Sequence, residues 1–142
     1  MNGATGNSMK SVLDGIRIVD LTSVVMGPLA TQLLGDFGAD VIKVESPEGD
    51  TTRRVGPMRN PLMGWVYLHL NRNKRSLVLD LKQQAARDAL IRLAQTADVL
   101  VASANAGNDA GSLTVYCSDS RRMCRCVGTL IFNIYNSPQS GF

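Results

Sequence analysis

A chain of 142 residues with 44% hydrophobic and 19% charged content carries apolar surface for about one domain and is not the composition of a disordered segment. A net charge of +3, with cations interleaved among acids and only 5% aromatic residues, argues against a general nucleic-acid surface. No run reaches the roughly 18 to 20 apolar residues of a membrane-spanning helix, and the first fifteen residues lack a signal peptide's apolar core, so a cytoplasmic protein with no membrane partner is expected.

The opening "MNGATGNSMKS" is small and polar, so residues 1–12 read as a flexible leader, with Leu13 the first residue to be packed. "IRIVDL", residues 16–21, alternates apolar side chains and reads as a strand. In "GPLATQLLGDFG", Gly27 and Pro28 suit an N-cap and a first helical position. Ala30, Leu33, Leu34 and Phe37 recur at helical spacing, and Gly38 suits a left-handed C-cap. "DVIKV", residues 40–44, reads as a second strand, closing a βαβ unit with a right-handed crossover.

A polar loop, "ESPEGDTTRRVGP", follows; its paired Arg53 and Arg54 suit either a phosphate clamp or a solvated loop. "NRNKRSLVLDLK" then sets Arg72, Lys74 and Arg75 ahead of an apolar strand, "SLVLDL", residues 76–81. The next helix is "QQAARDALIRLAQTA", with a stripe of Ala86, Ala89, Leu90, Leu93, Ala94 and Ala97, and "DVLV" is the next strand. Alternating strands and helices define an α/β class: a Rossmann-like parallel sheet with helices on both faces, binding ligands beyond the carboxyl ends of its strands.

Several residues invite a chemical reading. The turn "DLTSVVMGP" runs into a helix N-terminus, whose free N–H groups suit an anion, although an ordinary βα turn has the same composition. His69, the only histidine, sits among apolar neighbours without a partner motif and is expected to be structural. Asp20, Asp40, Asp80 and Asp98 each stand at a strand boundary and read as turn or helix-end residues, unless one of them is desolvated. Cys117, Cys124 and Cys126, spaced C-x6-C-x-C, match neither a zinc knuckle nor a disulfide framework, so no metal is expected.

The stretch "LDGIRIVDLTSVVMGPLATQLLGDFGADVIKVESPEGDTTR", followed by "NRNKRSLVLDLK" and "TADVLV", resembles the N-terminal region of the family III CoA-transferases. That group includes formyl-CoA transferase, carnitine CoA-transferase and α-methylacyl-CoA racemase. The resemblance runs from Leu13 to Val101 and rests on three separated motifs in order. It implies a CoA-binding portion over residues 13–101, with backbone around Val24, Val25 and Met26 lining the CoA path. Leu79 and Lys82 would lie near the adenine and ribose phosphate, and Lys74 and Arg75 would add positive potential. It further implies acyl-CoA and a carboxylic acid as the small-molecule partners and an interlocked homodimer as the assembly.

The same resemblance implies transfer of CoA between carboxylic acids through an aspartate that attacks the thioester, and it places that aspartate downstream of residue 142. No catalytic residue is therefore assigned in this chain. The racemase branch, which abstracts the proton α to the thioester, is the alternative enzyme. A non-catalytic α/β module, binding CoA or serving dimerisation, is the alternative outside the enzymes. Residues 102–142 depart from the family pattern, with Ser103 and Ala104 where CoA-contacting residues are expected. "LIFNIYNSPQSGF" resembles the family's next strand and turn, so the piece between reads as divergent or frame-shifted, and the chain as a fragment with an incomplete large domain.

Overall fold

The computed structural model describes residues 11–104 and 112–117, with only the backbone described from residue 103 onward. The leader as far as residue 10, and Cys124 and Cys126, lie outside the described residues. In chain order the elements are β1 (Arg17–Asp20), α1 (Met26–Asp36), β2 (Asp40–Glu45), a 3₁₀ turn (Thr51–Arg54), α2 (Trp65–Leu70), β3 (Lys74–Val78), α3 (Gln84–Ala94), β4 (Val99–Ala104) and β5 (Ser112–Cys117). The sheet order is β3-β2-β1-β4-β5. β1 to β4 run parallel, and β5 pairs antiparallel with β4. The α/β class with a parallel sheet is therefore as the sequence implies, with an antiparallel strand added next to β4.

The chain starts in the middle of the sheet, moves outward through β2 and β3, and returns to the other side of β1 for β4. That reversal sends the crossover helices to opposite faces. On one face Val19, Val44, Leu100 and Ala102 pack with Leu90, Ala94 and Ala97. The stripe expected on α3 is the one it buries. On the other face Ile18, Val41 and Val101 pack with Leu34 of α1 and with Leu13 and Ile16. Leu13 is anchored as expected, its amide donating to the Phe37 carbonyl at 2.9 Å.

Helix α1 departs from its expected orientation. Its N-cap is Val25 rather than Gly27, and it buries Gly27, Pro28, Thr31 and Gln32. Leu33 and Phe37, expected on the packed face, are 48% and 56% exposed. Gly27 is required because a Cβ there would overlap the Thr22 side chain, so only glycine lets the first turn press against the end of β1. Gly38, at φ +98°, ends the helix region in the left-handed conformation anticipated for it.

β3 also differs from expectation. It begins at Lys74, so Lys74 and Arg75 are its first two residues rather than a basic lead-in. Their side chains go to opposite faces of the sheet, as the period of two demands.

Leu90 is fully buried on the α3 face. Leu90→Ala should lower stability by about 2–5 kcal/mol, seen as a lower urea midpoint with an unchanged slope.

Candidate functional site

Strand register gathers charge on the α1 face. Asp20 lies opposite Lys43, and Lys74 lies opposite Val41, two residues before Lys43 on β2. Alternation puts Asp20, Lys43, Glu45 and Lys74 on the same side, where α1 offers Thr31 and Gln32 rather than leucines. Lys74 Nζ donates to Asp20 Oδ2, to the Pro28 carbonyl and to Asn71 Oδ1, each at 2.9 Å. Asp20, expected as a turn residue, is a fully desolvated carboxylate that also accepts from Thr22 and from Thr31 Oγ1 at 2.6 Å. Burial pushes Asp20 up, but Lys74, Lys43 and the two threonine hydroxyls together hold it below the usual carboxylate range. Burial lowers Lys74, opposed by Asp20.

A second pair lies beside the first. Lys43 Nζ meets Asp50 Oδ2 at 3.2 Å, and both side chains are 1% exposed. The same ammonium donates to the Thr22 carbonyl at 2.9 Å. Glu45 then takes both prongs of Arg53 at 2.8 Å and the Tyr67 hydroxyl at 2.7 Å, with the arginine lying over the tyrosine ring. Burial raises Glu45, but Arg53, Tyr67 and the Asp50 amide bring it down to about 2. Burial and the Glu45 bond push the Tyr67 hydroxyl well above its ordinary value. Among the described residues, no buried side-chain nitrogen or oxygen lacks a hydrogen-bond partner.

Above these ion pairs a cleft of about 340 Å³ opens at the carboxyl ends of β1, β2 and β3. Thr22 and Ser23 line it after β1, Ser46 and Gly49 after β2, and Leu79 and Lys82 after β3, with Lys43 and Asp50 also contributing. Lys82 is the exposed cation of this lining. Asp80, opposite the loop after β2, is held down by hydrogen bonds from Gln83 and the Lys82 amide. Next to the cleft the backbone does something rare: Val24, a β-branched residue, sits at φ +68°. Among the described residues no group of three or more His, Cys, Asp or Glu is placed to hold a metal ion. Nor, among them, is any helix long and apolar enough to cross a membrane.

The structure divides the residues singled out from the sequence. Leu79 and Lys82 share the cleft. Val24, Val25 and Met26 form the exposed β1–α1 corner beside it. Lys74 and Arg75 do not join them. The Lys74 ammonium is enclosed with its three acceptors, and Arg75 binds Asp40 at 3.1 Å on the opposite face. Arg53 is committed to Glu45, while Arg54 donates to the Glu48 carbonyl. His69 is exposed on α2, and Asp98 accepts from the Arg17 amide. Lys43, Glu45, Asp50 and Tyr67 were not singled out. The available signal was a lysine and a glutamate inside "DVIKVE", because a charge in a parallel strand buried on both faces requires a partner.

Fold and cleft define an α/β domain of the doubly wound kind, and the comparisons narrow the class. Residues 13–114 match CoA-transferase family III, and the chain belongs to that family. It is 46% identical over 100 residues to a probable fatty acyl-CoA transferase of Mycobacterium tuberculosis, covering 68% of this chain and 25% of that one. It is 49% identical over 96 residues to a formyl-CoA:oxalate CoA-transferase of Rhodopseudomonas palustris, covering 66% and 22%. The crystal structure of a CaiB/BaiF family protein from Brucella suis superposes with a TM-score of 0.62 at 40% identity, over 66% of this chain and 26% of that one. The chain thus spans about a quarter of the length of the curated relatives it matches.

The depressed Glu45 carboxyl has a pH consequence. Its folded value of about 2 lies below the ordinary 4.5, so its contribution is complete above pH 4.5 and is lost as pH falls towards 2. Glu45→Gln should be less stable than the parent at neutral pH, and the gap should close across that window in urea titrations at stepped pH.

Proposed function

We propose that this chain supplies the CoA-holding portion of a CoA-transferase that moves CoA between carboxylic acids through an enzyme aspartyl intermediate. The observation that carries the reading is the cleft at the carboxyl ends of β1 to β3, in a chain whose residues 13–114 match the family. Both sequence relatives described above are named as CoA-transferases, which favours transfer over the racemase alternative.

In this reading the nucleotide end of CoA lies in the cleft against Leu79, with Lys82 facing a phosphate, and the pantetheine arm passes Val24, Val25 and Met26. Lys74 and Arg75 make no phosphate contact in this reading, since Lys74 is enclosed with Asp20 and Arg75 shares Asp40 with Arg17 on the opposite face. The acyl-CoA donor and the acceptor acid meet where the downstream carboxylate of the full family architecture reaches the thioester. The apolar side chains exposed on α1, Met26, Leu33 and Phe37, suit the remainder of the large domain or a second copy in the family's homodimer. A cytoplasmic setting accompanies this chemistry.

Calorimetric titration of the 142-residue chain with CoA tests the reading. Saturable binding is expected, weakened about three- to tenfold in Lys82→Ala and further reduced at high salt, as a phosphate contact requires. A folded chain that takes up no CoA would instead support the non-catalytic α/β module.

A further inference from the structure

The left-handed backbone at Val24 requires an explanation, because a β-branched residue at φ +68° persists only where its surroundings over-determine it. Those surroundings are specific. On the N-terminal side, the Thr22 amide donates to Asp20 Oδ1 at 2.9 Å and the Thr22 carbonyl accepts from Lys43 Nζ at 2.9 Å. On the C-terminal side, the Val24 amide donates to Asp50 Oδ2 at 3.3 Å. That same Asp50 oxygen faces Lys43 at 3.2 Å. One buried ion pair therefore grips the chain on both sides of Ser23.

Asp50 is itself oriented for this role. Its other oxygen, Oδ1, accepts from the Thr52 amide at 2.9 Å and the Thr52 hydroxyl at 2.7 Å, while its own amide donates to Glu45 Oε2 at 3.0 Å. One carboxylate oxygen thus serves the loop after β2, and the other serves the turn after β1. Both segments line the cleft, at the ends of neighbouring strands.

We propose that Lys43 and Asp50 are positioning residues: their buried pair clamps the β1–α1 turn in its left-handed path and locks it to the loop after β2. The clamp sets the direction of the Val24–Met26 backbone against the pantetheine arm, a consequence that rests on the CoA reading above. Asp50→Asn removes the charge while keeping the shape. If its carbonyl stays on Thr52, its amide group faces the Val24 N–H, donor against donor, and the grip is lost.

The test uses Asp50→Asn, Val24→Gly and the double variant of the 142-residue chain, with two readouts. The first is hydrogen exchange of the Val24 amide without ligand, and the second is the Kd for CoA. Asp50→Asn should speed Val24 exchange and raise the Kd, each by about tenfold. Glycine adopts the left-handed conformation unaided, so the double variant should recover a Kd within about threefold of the Val24→Gly chain. A pair that merely stabilises the core would lower the urea midpoint and leave the Kd of the folded chain unchanged. An equal Kd loss with and without Val24→Gly overturns the proposal, as does unaltered Val24 exchange in folded Asp50→Asn. If the parent chain fails to bind CoA, the functional reading falls, and the exchange measurement still decides the clamp.

Discussion

The arrangement depends on charges placed where water cannot reach them. Asp20, Lys43, Glu45 and Asp50 lie at the carboxyl end of the sheet beneath α1, each 6% exposed or less. Isolated ions are too costly to bury there, so each must find an opposite charge and further hydrogen bonds. Much of the local structure follows. α1 lays Thr31 and Gln32 on the sheet, where Thr31 gives Asp20 a hydroxyl, so Leu33 and Phe37 face outward while Leu34 still packs on the sheet. β3 starts at a lysine because that lysine answers Asp20 across the sheet.

The same constraint divides the α1 face into two zones. Towards the amino ends of the strands, Ile18, Ala39, Val41 and Val101 form an ordinary apolar cluster. Towards the carboxyl ends the packing is ionic, and there the loops that form the cleft begin. Breaking any one pair would strand its partner in a desolvated position. The walls of the cleft are therefore tied to the rigid sheet rather than left as free loops, an arrangement suited to holding a ligand in a fixed pose. Glu45 extends this tie outward, since its pairing with Arg53 and Tyr67 carries the loop after β2 onto α2.

Membership of CoA-transferase family III is consistent with this economy of parts. The chain overlaps about a quarter of its relatives' length, and that quarter contains a sheet centred on β1 with a cleft above three of its strands. The antiparallel β5 beside β4 completes the described sheet on the side away from the cleft. Met26 and Leu33 of α1, and Phe37 at its end, remain exposed.

Apart from α2 and β5, the order of strands and helices, the α3 stripe and the Gly38 terminus were legible in the sequence. Each is written in local periodicity, local turn chemistry or family motifs. The orientation of α1 was not legible, because Ala30, Leu33, Leu34 and Phe37 satisfy helical spacing and the preference of the sheet for Thr31 is a long-range effect. The fate of Lys74 and Arg75 was equally hidden. Adjacent in the chain, they diverge to separate aspartates, Asp20 on one face and Asp40 on the other. The sequence by itself determined which segments become strands and helices and which family they belong to, since those properties follow from neighbours along the chain. Only the tertiary structure decided which charges neutralise one another and which stay exposed, because partners such as Lys43 and Asp50, or Lys74 and Asp20, meet only when the strands are laid side by side.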